Sequence, residues 1–141
     1  MPGRNPSRYR AGVASVETVS RIIAALPEVT EGERFGNLTW SVRRKAFAWD
    51  RPFSKADLRR FGDEPPPSGP ILAVRVADLA EKEAVLAAGG RAFFTIPHFD
   101  GYPAVLIQLD EVDETALREA LVDAWLACAP VTLAREYLGR K

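Results

Sequence analysis

The chain has 141 residues, 47% hydrophobic and 27% charged, an ordinary globular balance at the size of one domain, which excludes a fibrous or disordered protein. Its 19 Lys/Arg and 19 Asp/Glu cancel, which argues against a dedicated polyanion binder on bulk charge alone. The charges are nevertheless sorted: residues 1–60 carry 12 Lys/Arg and 6 Asp/Glu, residues 61–141 carry 7 and 13, an asymmetry that hints at one basic working face unless the fold interleaves the two halves.

Residues 1–14, with Pro2, Gly3, Arg4, Pro6, Arg8, Arg10 and Gly12, read as a flexible basic arm ahead of a single domain spanning residues 15–141. Val16, Val19, Ile22, Ile23 and Leu26 then recur at helical spacing, with Ser15 as N-cap and Pro27 as stop. After Phe35-Gly36 the period falls to two: Leu38, Trp40 and Val42 alternate with Thr39 and Ser41, and Ala46-Phe47-Ala48-Trp49 runs back as a second strand. The turn between them, Arg43-Arg44-Lys45, lacks the Asn-Gly or Asp-Gly of a strong hairpin signal. A basic connection comes next, with one short helical turn expected from Ser54, and then a stiff extended loop over 62–70 containing Pro65-Pro66-Pro67.

Ile71 to Val76 is a strand. Asp78 and Glu81 open a helix carrying Leu79, Lys82, Val85 and Leu86, closed by Gly89. Strands over 92–96 and 104–109 are joined by Pro97-His98-Phe99-Asp100-Gly101-Tyr102-Pro103, in which Asp100-Gly101 supplies turn geometry. Asp113 caps a long helix with Leu117, Leu121, Ala124, Trp125 and Cys128 on one face, and a short amphipathic segment lies beyond Pro130. The order α-β-β-β-α-β-β-α, with that last segment appended, predicts an α+β fold: an antiparallel sheet packed on one face by helices.

Leu26-Pro27-Glu28-Val29-Thr30-Glu31, Phe35-Gly36, Lys45-Ala46-Phe47-Ala48 and Pro97-His98-Phe99-Asp100-Gly101-Tyr102, in this order, resemble the MmcQ/YjbR family over residues 16–138. The resemblance implies a frataxin-like (CyaY-like) two-layer sandwich and DNA binding of a "double wing" type. The sequence departs from the family at the hairpin turn, where Arg43-Arg44 replace common glycines, and at His98-Phe99 in place of a frequent His-Trp. Frataxins proper bind iron along an acidic first helix; here that helix offers only Glu17, with Arg21 one turn on, so the iron role does not carry over.

Arg43, Arg44 and Lys45 at a protruding β-ribbon can reach phosphates or enter a groove, although the same cations would equally serve as a solvated turn. Arg51, Lys55, Arg59 and Arg60 extend the basic stretch, so that residues 42–60 hold 7 Lys/Arg against Asp50 and Asp57, an electrostatic footprint for phosphate. His98 and Tyr102 would flank a second wing. Trp40 is in phase with the core, whereas Trp49 and Phe53 sit where the alternation stops and are candidates to stack on bases.

His98 is the only histidine and Cys128 the only cysteine, so neither a zinc set nor an intramolecular disulfide is available. Cys128 reads as a buried small hydrophobe, and Asp110, Glu111, Asp113 and Glu114 as a helix-dipole cluster. His98 with Asp100 lacks a nucleophile or oxyanion element. No apolar run approaches the ~20 residues of a membrane span and no signal-peptide pattern opens the chain. The sequence therefore predicts a non-catalytic, cytoplasmic, monomeric nucleic-acid-binding module, DNA being the expected partner, with no cofactor or metal. The alternative is a small-molecule or protein-binding accessory domain whose pocket is rimmed by Trp49 and the 62–70 loop.

Overall fold

A strand such as Ile71-Leu72-Ala73-Val74 has no polar residue and must be covered on both faces. The computed structural model, which describes residues 14–140, covers it with two separate apolar clusters. The elements are α1 (Val16–Ile23), β1 (Val29–Arg34), β2 (Asn37–Val42), β3 (Lys45–Asp50), α2 (Lys55–Phe61), β4 (Ile71–Arg75), α3 (Leu79–Ala88), β5 (Phe93–Phe94), a 3-10 turn (Pro97–Phe99), β6 (Ala104–Gln108), α4 (Glu114–Cys128) and α5 (Val131–Gly139). The strands form one antiparallel sheet in the order β1-β2-β3-β4-β6-β5.

Leu72 and Val74 of β4 and Val105 and Ile107 of β6 face the large core, where they meet Val19, Ile22 and Ile23 of α1 and Leu117, Leu121 and Trp125 of α4. Val85 and Leu86 of α3 and Leu133 of α5 pack against the same core. The alternate residues Ile71, Ala73, Ala104 and Leu106 turn to the other face and meet Ile96, Phe99, Phe53, Phe61 and Phe94. The α+β architecture is as the sequence predicts, with the longer helices on one face. The short α2 and the 3-10 turn form a smaller cap on the other.

Local chemistry sets the element ends. Ser15 accepts from the Thr18 amide while Thr18 Oγ1 accepts from the Ser15 amide, a closed capping box. Ser54 and Asp57 repeat the arrangement at α2. Helix α1 stops at Ile23, earlier than Leu26, because the chain tightens into a turn (Leu26 N to Ile23 O, 2.9 Å) before Pro27. The Pro27 carbonyl then accepts from Trp125 Nε1 at 3.0 Å. Strand β5 is two residues long rather than the five expected over 92–96.

Strand β1 has no counterpart among the elements expected from the sequence. Its Val-Thr-Glu-Gly-Glu-Arg sequence is an exposed edge without apolar alternation, the charged form by which edges avoid further pairing. The expected basic arm, residues 1–14, lies outside the described residues except for Ala14, which is buried in the large core.

Two departures from regular strand geometry shape the region of β1, β2 and β3. A bulge in the β2–β3 pairing matches Trp40 with Ala48 and Ser41 with Ala46, leaving Phe47 as the extra residue. Phe47 and Ala48 both enter the large core, and Trp49, which strict alternation from Phe47 would also bury there, emerges on the opposite face. Both hairpins close with two-residue turns whose central residues have positive φ: Phe35 (54°) with Gly36 (79°), and Arg43 (48°) with Arg44 (73°). That is the mirror-type turn matching strand twist, here built largely from residues that disfavour it.

Candidate functional site

The face of the sheet away from the large core changes character from one side to the other. Over β4, β6 and β5 it is covered by the phenylalanine-rich cap. Over β2 and its neighbours the register pairs Arg34 with Asn37, Thr39 with Trp49 and Ser41 with Ala46, so this side presents small and polar residues. A cleft of about 610 Å³ lies in front of them, within the range of small-ligand sites. Arg34, Asn37, Thr39, Ala46 and Trp49 line it from the sheet, Phe35 from the turn before β2, and Arg51, Pro52, Phe53 and Ser54 from the segment after β3. His98 and Tyr102 close it from the 97–102 loop. Among the described residues, no Asp or Glu lines it.

Each wall is held by identifiable interactions. The Arg51 guanidinium lies 3.0 Å from Asp57 Oδ2 and 5.6 Å from the centre of the Phe99 ring, with 15% of the Arg51 side chain and 1% of Asp57 exposed. Burial pushes the Asp57 carboxyl up, but the hydrogen bonds from Ser54 and the Arg51 charge outweigh it and hold the group below its ordinary value. The second oxygen, Oδ1, is buried and, among the described residues, has no hydrogen bond, with the Arg60 guanidinium at 3.7 Å. Trp49 packs beside Phe99 (centroids 6.4 Å) and Phe53 meets Phe61 edge-on at 5.3 Å, joining the cleft to the cap beneath.

The 97–102 loop is fastened from below. Lys82, 6% exposed, donates through Nζ to the carbonyls of Phe99 (2.6 Å) and Tyr102 (2.8 Å). Burial lowers its pKa, opposed by the charge of Asp100. Arg75 Nε donates to the Pro103 carbonyl at 3.1 Å and its guanidinium lies 5.4 Å from the Tyr102 ring centre. Gly101, at φ 74°, makes the bend possible. Phe35, by contrast, is 101% exposed at its turn.

The structure brings Trp49, Arg51, Phe53, His98 and Tyr102 into one cleft. Trp49 and Phe53 are half-buried rather than exposed. Arg43, Arg44 and Lys45 lie off its lining, and Arg43 is ion-paired through Nε and Nη2 to Glu28 (Nη2–Oε2 3.1 Å), which raises its already high pKa. Lys55, Arg59 and Arg60 are exposed on α2, outside the lining. Trp40 is core, with Nε1 donating to Glu31 Oε1 at 3.0 Å. The 62–70 loop does not contribute to the cleft.

Arg34, Phe35, Asn37 and Thr39, with Ala46, Pro52 and Ser54, are the lining residues that sequence reasoning missed. Phe35-Gly36 would have read as a hairpin turn only if β1 before it had been recognised as a strand. Among the described residues, no group of three His, Cys, Asp or Glu could hold a metal ion, and no hydrogen bond joins His98 to Asp100. Cys128 is buried, which pushes its thiol pKa up. No helix among the described residues is long and apolar enough to cross a membrane.

The YjbR sequence pattern matches residues 24–127, from the end of α1 to the end of α4, and so contains every element that builds the cleft. The chain belongs to the YjbR family. Its relatives include the uncharacterised proteins Rv2570 of Mycobacterium tuberculosis and Mb2600 of Mycobacterium bovis, each 43% identical over 130 residues, covering 90% of this chain and 98% of the relative. The crystal structure of Deinococcus radiodurans protein DR2400, a DUF419 domain, superposes with a TM-score of 0.57 at 18% identity over 81% of this chain and 78% of that one. That likeness concerns the fold of this YjbR domain.

Proposed function

We propose that this YjbR protein is a non-catalytic nucleic-acid-binding module whose contact surface is the cleft between the β1–β2 turn and the 97–102 loop. One observation carries the reading: aromatic rings (Phe35, Trp49, Phe53, Tyr102), His98 and two guanidinium groups (Arg34, Arg51) converge in a space that, among the described residues, no carboxylate lines. Rings offer stacking surfaces to bases, the Arg34 guanidinium offers a partner to phosphate, and Arg51, paired with Asp57, offers a fixed planar donor. The exposed Arg44, Lys45, Lys55 and Arg59 supply further phosphate contacts in neighbouring segments. With zero net charge, binding is expected to be weak, in the ~1–100 μM range at physiological salt, with little sequence preference.

The test is a fluorescence-anisotropy salt titration with labelled oligonucleotides. Replacing Arg43, Arg44 and Lys45 together by Ser should flatten the salt slope by about two units, since each lost phosphate contact removes about one and Arg43 is already paired with Glu28. A folded protein that binds no oligonucleotide even at low salt overturns the reading. The cleft volume would then favour a small aromatic anion as ligand.

A further inference from the structure

We infer that the ligand of the cleft is an unpaired nucleobase, so that the protein selects single-stranded over duplex nucleic acid. This rests on the nucleic-acid reading above and narrows it.

The first argument is shape. In a duplex the base faces are covered by their neighbours and only edges and phosphates are presented; aromatic side chains are useful to a base only once it is unstacked. Of the stacking groups here, Trp49, Phe53 and Tyr102 do not protrude as a ribbon that would enter a groove. They line a concavity, with Trp49 on the sheet, Phe53 on one wall and Tyr102 on the other.

The second is Phe35. It is fully exposed, stands at φ 54°, and occupies a two-residue turn that Asn or Gly would fill without strain. Among the described residues nothing packs on its ring, so both the backbone strain and the exposed apolar surface call for an external partner. A base entering the cleft beside it supplies one.

The third is the state of the polar groups. Arg51 is fixed between Asp57 and the Phe99 ring, and its charge is offset by the carboxylate. It therefore acts as a rigid planar donor more than as a phosphate clamp. The Asn37 amide lines the same space with no hydrogen-bond partner among the described residues, leaving a donor and an acceptor for a base edge. Of the hairpin cations, Arg43 is engaged by Glu28.

The test compares a mixed-sequence single-stranded hexanucleotide with the same sequence in a duplex, at one salt concentration, by anisotropy and by tryptophan fluorescence. Trp40 and Trp125 are buried in the core, so quenching reports Trp49. We expect the single strand to bind at least about tenfold more tightly and to quench Trp49. Phe35→Asn should weaken single-strand binding about tenfold to a hundredfold, the effect of losing one stacking partner, without lowering the melting temperature. Duplex binding equal to or tighter than single-strand binding, or an unchanged affinity in Phe35→Asn, overturns this inference and leaves the nucleic-acid reading standing. Failure of both probes to bind overturns both.

Discussion

The two faces of this sheet are made by alternate residues of the same strands, yet they do different work. On one face Leu38, Trp40, Val42, Leu72, Val74, Val105 and Ile107 form a continuous apolar surface closed by the longer helices. On the other, the apolar surface continues only beneath the phenylalanine cap and gives way to Arg34 of β1 and to Asn37, Thr39 and Ser41 of β2. β2 is an interior strand with a neighbour on each side, so its polar face is not there to protect an edge. A central strand that is apolar on one side and polar on the other marks surface kept free of helices, and here the aromatic cleft occupies it.

The comparison breaks most visibly if the two half-sheets respond alike to truncation. Trp125, fully buried, should cost about 4 kcal/mol of stability on replacement by Ala. Trp49, half-buried against Phe99, should cost only about 1 kcal/mol. Urea unfolding of both variants decides. Comparable losses would make the cleft face a structural core.

A smaller effect separates the cleft wall from its surroundings. Asp57 holds Arg51 and caps α2, so Asp57→Asn should lose about 2 kcal/mol at neutral pH. Its carboxyl is held below the ordinary value when folded. The contribution is therefore complete above the unfolded pKa and disappears as pH falls through the lower folded one. The stability gap between native and Asp57→Asn proteins should close in acid, below the usual carboxylate range. A gap independent of pH would mean that the ionised pair contributes nothing.

Next in size is the loop tether. Lys82→Met leaves the Phe99 and Tyr102 carbonyls without their shared donor, at a cost of about 1 kcal/mol. The local consequence should exceed the global one: faster amide exchange at Asp100 and Tyr102, whose amides bond within the loop, with the core amides of β4 unchanged.

The same division governs what is legible in the sequence. Helix α4 and strands β4 and β6 were legible because one-sided or continuous apolar runs have a period, and Lys82 was even in phase with Val85 and Leu86. Trp49, Phe53, His98 and Tyr102 were legible as residues left over from that pattern. Strand β1 was not, because an exposed edge is specified by backbone pairing rather than by its own alternation. The bulge at Phe47 was not, because a single extra residue is invisible until the partner strand is known. Arg34, Asn37 and Thr39 were not, because polar residues facing away from the core carry no periodic signal of being near one another.

The finest test sets the two hairpin turns against each other. Both have two central residues at positive φ, and both use side chains that disfavour it. Relieving left-handed strain with Asn or Gly is worth about 1 kcal/mol per residue. Arg43-Arg44→Asn-Gly should gain from that relief but lose the Glu28 ion pair, an exposed interaction of small value; the net change should be a modest rise in melting temperature. Phe35→Asn gives up no contact among the described residues, so its rise should be at least as large. The binding results should diverge. The Asn-Gly turn should flatten the salt slope slightly and leave the tightness of single-strand binding nearly intact at high salt. Phe35→Asn should leave the salt slope alone and weaken binding at every salt concentration, because stacking is lost and no phosphate contact is. If both variants are stabilised and only Phe35→Asn loses salt-independent affinity, the strain at Phe35 is kept for a ligand. If both lose affinity only through the salt slope, Phe35 is a turn residue like its counterpart.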